Sequence, residues 1–496
     1  MAGLLSHRAT LCSNKRLLFA QYRQLSSRTS PLQSTYASEH SPAEAIQPLS
    51  LAANPPPSPG TMPKTSSLSI LPLSAVVRSL AIMSVSSSPI LLGPSLKVMA
   101  LLANSKSPIL SPDHNPILRF FLKHTFYKQF CAGETPPEVQ RTIRSIKDLG
   151  YTGVFLCYAR EVESAKDTAA TKIDEEKCIN NEVKPWAAGT LATVNLSEAG
   201  DFVAVKFSGA GSLALHALEN QLDPHPALKD AIDEICELGA KRGVKMVFDA
   251  EHAAVQKGID QWTVDYMKKY NKTGKGGAVV YGTYQAYLKA CPEVVASHLA
   301  IARKENFTLG VKLVRGAYLG SDPRELIHDT KPETDNCYDG IADALVRRSY
   351  NDVLRPAKGE TEFPDVDVAI AGHNLESVRK TQRIRAKQAE NGEDRIELVY
   401  AQLQGMADEV SCELVQEGRL AEKKKSELAG AREGNAVDVD VPQAYKYLTW
   451  GTTGECMKYL LRRAYENRDA VGRTREGRDE MGRELVRRVK SMFGIS

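Results

Sequence analysis

Near the C-terminus, one aromatic and three charged residues have a spacing that could bind a small carboxylic acid. Arg462 and Arg463 are adjacent, Tyr459 comes three positions before the first and Glu466 three positions after the second. On a helix these positions share one face. Guanidinium groups match carboxylates with two parallel hydrogen bonds. A solvated basic stripe on a surface helix remains the alternative, because charged helix faces are common in proteins.

Polar side chains also stand at the ends of apolar runs upstream of this helix. A single Lys or Asp at the end of a strand would be expected to form an ion pair with a neighbouring strand end. A whole ring of them indicates a ligand site, since ionisable groups within strands need partners or a ligand. The residues are Lys206, Asp249, Glu251, His252, Gln285, Lys312, Arg315, Tyr318, His373, Asn374, Gln402, Gln404 and Tyr447.

The apolar runs themselves predict eight parallel strands that alternate with amphipathic helical segments. Rich in Val and Ile, these runs are typical of strands buried on both faces. Eight such βα units over this length predict an α/β fold, a (βα)8 TIM-type barrel with its chemistry at the C-terminal ends of the strands. Two irregular stretches, 160–184 and 421–436, are predicted to be an insertion and a solvated loop. The strand candidates are 151–158, 202–207, 244–250, 278–284, 308–314, 366–372, 396–402 and 441–448.

The N-terminal region differs in composition from the rest of the 496 residues. Residues 1–38 contain five basic residues and no acid, which predicts a mitochondrial transit peptide. Residues 39–112 are rich in Ser and Pro, so we expect them to be mostly disordered or loosely packed and to precede a barrel domain at 113–496. The uncharged run between Arg78 and Lys97 holds six serines and two prolines, which disfavours a membrane-spanning helix.

Charge and cysteine content exclude several classes of protein. Without residues 1–38 the chain has 59 basic and 60 acidic residues, so nucleic acid is not an expected partner. The nine cysteines form no CxxC pair, which indicates reduced thiols and neither a zinc site nor a disulfide framework. No HExxH or GxSxG motif occurs, and we expect no metal.

One glycine motif suggests a dinucleotide site but lacks its context. Gly209, Gly211 and Ala214 fit GxGxxA after a strand. A Rossmann site would need an acidic residue about twenty positions later, at the end of the next strand, and Asp249 comes too late. What remains is a barrel mouth with basic, aromatic and amide side chains. Such a lining suits an anionic cofactor with a hydrogen-bonding ring system, such as a flavin.

Six motifs, taken together and in this order, resemble the proline dehydrogenase (proline oxidase) family, and in particular the mitochondrial single-function enzymes of fungi. The resemblance covers about residues 110–490. It implies a distorted (βα)8 barrel with FAD at the strand C-termini and a last helix over the mouth. It also implies oxidation of L-proline to Δ1-pyrroline-5-carboxylate, the first step of proline catabolism. The motifs are VFDAE (247–251), YQAYLK (284–289), VKLVRGAY (311–318), AGHN (371–374), AQLQGMAD (401–408) and YLLRRAYEN (459–467).

By this resemblance, several residues would bind the substrate. Arg462 and Arg463 match the pair that holds the proline carboxylate, and Tyr459 matches an aromatic residue packed on the pyrrolidine ring. Relatives specific for hydroxyproline have a smaller residue at that position, so Tyr459 favours proline. Glu466 would orient an arginine. Lys206 matches a lysine beside the substrate, and Asp249 and Tyr447 match a hydrogen-bonded pair; with Lys312 these are the expected catalytic residues.

The resemblance likewise assigns residues to the flavin. Gln285 would bond the isoalloxazine, and Lys312 would lie beside flavin N5 and stabilise the negative charge that develops there. Gly372 stands where the family often has Thr or Ser, so one side-chain contact is expected to be missing. Glu161 is assigned as a gate carboxylate. The remaining expected contacts are Asp249, Ala250, Arg315, Gly316, Ala317, Tyr318, Gly372, His373 and Asn374.

The family implies ubiquinone as the electron acceptor, and hence peripheral contact with the matrix side of the mitochondrial inner membrane. Three alternatives stay open at this point. One is a hydroxyproline-preferring flavoenzyme. Another is an aldolase that forms a Schiff base on Lys206 or Lys312. The third is a non-catalytic barrel that serves as a scaffold, which the ring of polar strand ends disfavours.

Overall fold

The computed structural model describes residues 66–105, 107–160, 174–274, 276–430, 438–466 and 471–494. The expected transit peptide, residues 1–38, and the expected gate residue Glu161 lie outside this part of the chain.

Eight parallel strands close into a barrel in sequence order, as predicted. The barrel closes between the first and last strands, where Tyr158 pairs in register with Trp450. The last strand runs to Trp450, three residues beyond Tyr447. The strands are β1 Gly153–Tyr158, β2 Phe202–Val205, β3 Lys245–Phe248, β4 Val280–Gln285, β5 Leu309–Val314, β6 Val366–Ala371, β7 Leu398–Leu403 and β8 Ala444–Trp450.

Aromatic side chains fill the interior of the barrel below its mouth. The rings of Phe155 and Phe202 stack with their centroids 4.1 Å apart, and the rings of Tyr281 and Tyr445 pack edge-on against Phe202. These side chains form one buried apolar cluster. The barrel is therefore a packed core, and a ligand must bind at the C-terminal mouth.

Helices surround the barrel and follow most of its strands. Several end or begin with recognisable signals: the helix before β3 ends at Gly243 in the left-handed region, with φ of 68°. The helices are α1 Leu73–Ser86, α2 Pro89–Asn104, α3 Pro116–Leu122, α4 Lys128–Phe130, α5 Pro136–Asp148, α6 Glu175–Cys178, α7 Lys184–Leu196, α8 Ser212–Glu219, α9 Pro226–Arg242, α10 Ala253–Tyr270, α11 Cys291–Glu305, α12 Lys331–Arg347, α13 Leu375–Glu390, α14 Asp408–Gly430, α15 Thr453–Glu466 and α16 Val471–Met492.

Part of the Ser/Pro-rich region is folded, which corrects the expectation of disorder for residues 39–112. Residues 67–104 form a short 3-10 helix and then α1 and α2. Leu68 and Val76 are buried in a cluster with Cys412 of α14 and Met481 of α16. The prediction was wrong here because it weighed serine and proline content and overlooked apolar residues at helical spacing.

The stretch 421–436 was also predicted incorrectly as a loop. Helix α14 continues through it to Gly430, while residues 431–437 lie outside the described part of the chain. Lys423 and Glu427, one turn apart, have their charged atoms 3.8 Å apart. Because this end of α14 has little surface to pack against, its side chains are exposed, and an exposed helix has the same composition as a loop.

Candidate active site

The centre of the barrel mouth is a buried carboxylate with three partners from three different strands. Asp249 follows β3, and its Oδ2 lies 3.3 Å from Nζ of Lys206, which follows β2. Lys312 of β5 donates a short hydrogen bond to the other carboxylate oxygen. Tyr447 of β8 donates its hydroxyl hydrogen to Oδ2 at 2.7 Å. The structure thus brings together the four residues that the sequence analysis expected to be catalytic.

These contacts determine the protonation states at the mouth. Burial by itself would raise the pKa of Asp249, but the charges of Lys312 and Lys206 and the hydrogen bonds from Lys312 and Tyr447 hold it well below its usual range. Burial and the charge of Asp249 raise the pKa of Tyr447 well above its usual range. At neutral pH Asp249 is therefore an ionised acceptor and Tyr447 a neutral donor. Two buried lysines share one carboxylate, so the site favours an anion.

Helix α15 lies over this mouth and carries the aromatic and arginine residues. Burial raises the pKa of Tyr459 to about 12, and the positive charges of Arg463 and Lys206 oppose that shift, which places Tyr459 near the Asp249 cluster. The guanidinium of Arg463 lies 5.8 Å from the Tyr459 ring centroid. The guanidinium of Arg462 lies 5.5 Å from the ring of Tyr318, beyond β5. Glu466 is the last residue of α15, and its side chain lies outside the described part of the structure.

Residues that precede the barrel hold the N-terminus of α15, a feature that the sequence analysis missed. Glu134 accepts hydrogen bonds from the backbone amide of Thr453, at 2.9 Å, and from its hydroxyl. Asp113 accepts one from the amide of Gly454, also at 2.9 Å. Carboxylates at this end of a helix satisfy free amides and complement the helix dipole. No local signal could reveal these caps, because they lie more than 300 positions away in the chain.

On the side of β4 and β5, amides and buried carboxylates form a hydrogen-bonded rim. Gln285 accepts a bond from the amide of Ala317 at 3.2 Å and donates one to the carbonyl of Glu251 at 3.3 Å. The Glu251 carboxylate accepts a bond from the amide of Ser208 at 2.9 Å. Ala250, between Asp249 and Glu251, is buried. Gln285 therefore orients the loop after β5 while its own position is fixed by the loop after β3.

Arg315 lies in a second charged cluster, at the ends of β5 and β6. Its Nε is 2.9 Å from a carboxylate oxygen of Asp335, one of its terminal nitrogens donates to Ser377 at 2.7 Å, and its guanidinium lies 4.2 Å from the Tyr338 ring centroid. The other terminal nitrogen is buried and has no hydrogen-bond partner among the described residues. A Cβ at Gly372 would lie 3.4 Å from this nitrogen and 3.3 Å from the Tyr338 hydroxyl, so a larger residue there would narrow the space beside Arg315.

Just after β6, two residues that were expected to contact the flavin accept hydrogen bonds from backbone amides. Nε2 of His373 accepts a bond from the amide of Leu403 at 3.2 Å. The side-chain oxygen of Asn374 caps α13 through the amides of Glu376 and Ser377. An N-cap before an acidic first turn is a signal that the sequence does show. Asn374 thus positions Ser377, which in turn bonds Arg315.

One polar strand end lies on the outer face of the barrel. Gln402 pairs in register with Lys446, whose Nζ lies 2.7 Å from a carboxylate oxygen of Asp408 on α14. Side chains alternate across a strand, so the neighbours Ala401 and Leu403 point inward and Gln402 does not. The expected place of Gln402 in the ring at the mouth is therefore wrong, because the end of an apolar run does not reveal which face of the strand a side chain occupies.

The residues at the mouth fit a flavin by their chemistry. Thr283 pairs in register with Lys312, and its buried hydroxyl has no partner among the described residues. The unpartnered nitrogen of Arg315 could meet a phosphate oxygen, and the Thr283 hydroxyl a polar ring edge. Together with Lys312 and Gln285, these groups suit a large ligand with both an anionic part and a hydrogen-bonding ring system.

We expect Gly316→Ala to lower the free energy of unfolding by about 2 kcal/mol or more, since the added Cβ cannot be accommodated. Gly316 has φ of 150°, and its Cβ would lie 2.3 Å from the ring of Tyr287. That ring is held by a hydrogen bond from its hydroxyl to Asp322 at 2.5 Å. Urea denaturation measures the loss. Gly320→Ala is the control, because a Cβ there meets nothing within 4 Å. Equal stability of the two variants would contradict the prediction.

Comparisons with known proteins are consistent with this geometry. The sequence model of the family described as "Proline dehydrogenase" matches residues 139–476. The chain is 29% identical over 433 residues to the Schizosaccharomyces pombe protein named "Probable proline dehydrogenase, mitochondrial", covering 77% of this chain and 82% of that one. It is 26% identical to "Proline dehydrogenase 1, mitochondrial" of Arabidopsis thaliana, covering 85% of each.

Among solved structures, the fold is similar to that of proline utilization A from Bdellovibrio bacteriovorus, with a TM-score of 0.56 and 18% sequence identity. The match covers 78% of this chain and 38% of the bacterial protein, so this chain corresponds to less than half of it. At this identity the likeness concerns the barrel fold alone.

Proposed function

The chain belongs to the proline dehydrogenase family and is an oxidoreductase that oxidises proline; we propose that it converts L-proline to Δ1-pyrroline-5-carboxylate with a bound FAD. The observation that supports the finer proposal is the pair of buried lysines, Lys206 and Lys312, on the single carboxylate of Asp249 beneath the arginines of α15. Family membership excludes the aldolase and scaffold alternatives that the sequence left open.

The substrate carboxylate would bind Arg462 and Arg463, whose side chains extend from the helix over the mouth. Tyr459 is buried beside Arg463, and its ring would cover the apolar part of the pyrrolidine. Holding the ring in one orientation above the reacting groups lowers the barrier, because the entropy of alignment is lost on binding. Glu466, by its place on the same helix, would orient an arginine.

Close to the reacting atoms, the protonation states limit what each residue can do. Asp249 is ionised at neutral pH and can accept a hydrogen bond from the substrate nitrogen or from Lys206, but it has no proton to donate. Tyr447 and Lys312 donate to Asp249 and so fix the direction in which its oxygens point. The positive charge of Lys312 would stabilise negative charge that develops during the reaction.

FAD, when bound, supplies the two-electron acceptor for the hydride that leaves the proline ring. The residues that would hold it are Lys312 and Gln285 beside the ring system and Arg315 beside the phosphates. Gly316, Ala317, Tyr318, Ala250, Gly372, His373 and Asn374 complete the proposed cofactor site.

The proposed cellular context follows from relatives whose names describe them as mitochondrial. We place this enzyme in mitochondria, on the matrix side of the inner membrane, with ubiquinone as the acceptor of the electrons from proline. Residues 1–38 would then act as a transit peptide.

The test is an absorbance spectrum of the purified protein before and after addition of L-proline without oxygen. We expect a flavin spectrum that bleaches with proline, because reduction removes the visible absorption of the ring system. If the flavin bleached only with hydroxyproline, the proposed cofactor would stand and the proposed substrate would be hydroxyproline. A colourless protein that takes up no added FAD would overturn the proposal.

A further inference from the structure

One continuous part of the chain exposes many large apolar side chains to solvent. We define the apolar surface as the exposed apolar side chains of residues 89–105 and 107–121, which come from α2, the turn at 109–110 and α3. Ile90 is 82% exposed, Ile109 73%, Ile117 70% and Phe121 62%. Exposed apolar groups that are scattered singly need no explanation, but nine large ones within this single segment of the chain indicate an interaction site.

Helix α2 is apolar on both of its faces. Leu96, Met99 and Ala103 form the buried face, and Leu91, Val98 and Leu101 are exposed, also at helical spacing. Lys97 is the one charged residue among the sixteen of this helix. A helix with apolar residues all round is normally buried within a protein or in contact with lipid. The outer face of α2 is covered by nothing in the described chain.

The charged residues within and beside this segment are almost all basic. Between residues 66 and 133 the sequence contains a single acidic residue, Asp113, whose carboxylate is bonded to the backbone of α15. Lys97, Arg119 and Lys128 are exposed around the apolar side chains. Basic residues beside exposed Phe and Ile are the combination that binds the headgroup region of an anionic membrane.

The geometry favours a segment that lies along a membrane. None of the described helices is by itself long and apolar enough to cross one, and the α1–α2 pair, which has the composition, is bent by 99°. Helix α2, residues 122–131 and α15 share one apolar cluster, which includes Met99, Tyr127 and Leu460. The apolar surface therefore lies beside the helix that covers the active site.

We propose that the apolar surface docks the enzyme onto a bilayer that contains anionic lipid, with the side chains of α2 and α3 in the headgroup and upper acyl region. This inference rests on the proposed function, in which a quinone dissolved in the membrane accepts the electrons. Docking through α2 holds α15 and the barrel mouth close to the bilayer surface, where that acceptor is concentrated.

Two other occupants fit the charges less well. A second copy of the chain would bring two surfaces that both carry Lys97, Arg119 and Lys128 against each other, and this like charge opposes association. Residues 1–65 carry six basic residues and two acidic ones, so the charge of this segment does not complement that of the surface either. Anionic lipid is the occupant whose charge complements the surface.

The experiment is co-sedimentation of the full chain with vesicles of phosphatidylcholine, with and without roughly 30% phosphatidylglycerol. This anionic lipid gives the vesicles a negative surface potential. We expect the wild-type protein to bind the anionic vesicles, less strongly as salt rises. Phe120→Ser with Phe121→Ser should weaken binding about tenfold or more, because two exposed aromatic anchors are lost. The matched control, Leu222→Ser with Leu420→Ser, removes two exposed leucines from other elements and should bind as the wild type does.

Activity with a soluble dye as acceptor separates this inference from the proposed function. The Phe120/Phe121 variant should oxidise proline with the dye as the wild type does, since neither residue belongs to the active site. Equal vesicle binding by this variant and the wild type would overturn the inference. The inference would also be overturned if the wild-type protein did not bind vesicles and sedimented as a dimer while the variant sedimented as a monomer. Failure to oxidise proline with the dye would instead count against the proposed function alone.

Discussion

Replacement of Arg463 by methionine is expected to raise KM for proline about 100-fold, with a smaller effect on kcat. A charge-assisted, bidentate hydrogen bond contributes about 3 kcal/mol when it is buried, which corresponds to about two orders of magnitude in affinity. Methionine keeps the length and apolar character of the side chain while it removes the donors. Arg462→Met should have an effect of the same kind, since the two guanidinium groups hold one carboxylate in the proposed site.

Steady-state kinetics with a soluble acceptor measures this effect, and flavin content per protein shows whether the fold is intact. Lys458→Met is the matched control, because Lys458 lies on the same helix and is exposed. Its KM should equal that of the wild type. If the two arginine variants also kept the wild-type KM, the carboxylate would bind elsewhere, and the helix face would be the solvated stripe that the sequence analysis kept as the alternative.

The second large effect is expected for Asp249→Asn, which should lower the free energy of unfolding by about 3–5 kcal/mol. The variant leaves Lys206 and Lys312 buried without their shared counter-charge, whereas in the wild type both lie within 3.3 Å of the carboxylate. The rate of proline oxidation should also fall in this variant, because Tyr447 and both lysines lose the carboxylate that orients them. Urea denaturation of the FAD-free protein at pH 7.5 avoids the added stability from bound cofactor.

Dependence on pH tests the electrostatic origin of this effect. The folded-state pKa of Asp249 lies below its ordinary value of 3.8, so its contribution is fully present above that value and is lost as pH falls toward the folded pKa. The difference in stability between wild type and Asp249→Asn should therefore be constant above about pH 5 and shrink below about pH 4. A difference that stayed constant down to pH 3 would show that packing, and not charge, is responsible.

Asp343→Asn serves as the control for loss of a carboxylate at the surface. Asp343 is 39% exposed and pairs with Arg347 one turn along α12, at 2.7 Å. Exposed pairs of this kind contribute about 0.5 kcal/mol, so the control should change stability little.

The sequence by itself determined the barrel and the helix that covers it. Parallel strands that are buried on both faces are near-continuous apolar runs rich in Val and Ile, and all eight predicted strands are present. The arginine helix was equally readable, since residues three and four apart on one helix face are neighbours whatever surrounds them. Both are local properties of the chain.

Contacts between distant segments were decided only by the tertiary structure. The partners of Asp249 come from the loop after β2, from β5 and from β8, and Glu134 caps Thr453 across 319 positions. Composition also misled for residues 67–104, where Val76 is fully buried although the region was expected to be disordered. On the same helices, Ile90 is 82% exposed although it has the composition of a core residue. The sequence shows that a side chain is hydrophobic and favours burial. Whether protein or lipid covers it depends on how the helices pack in three dimensions.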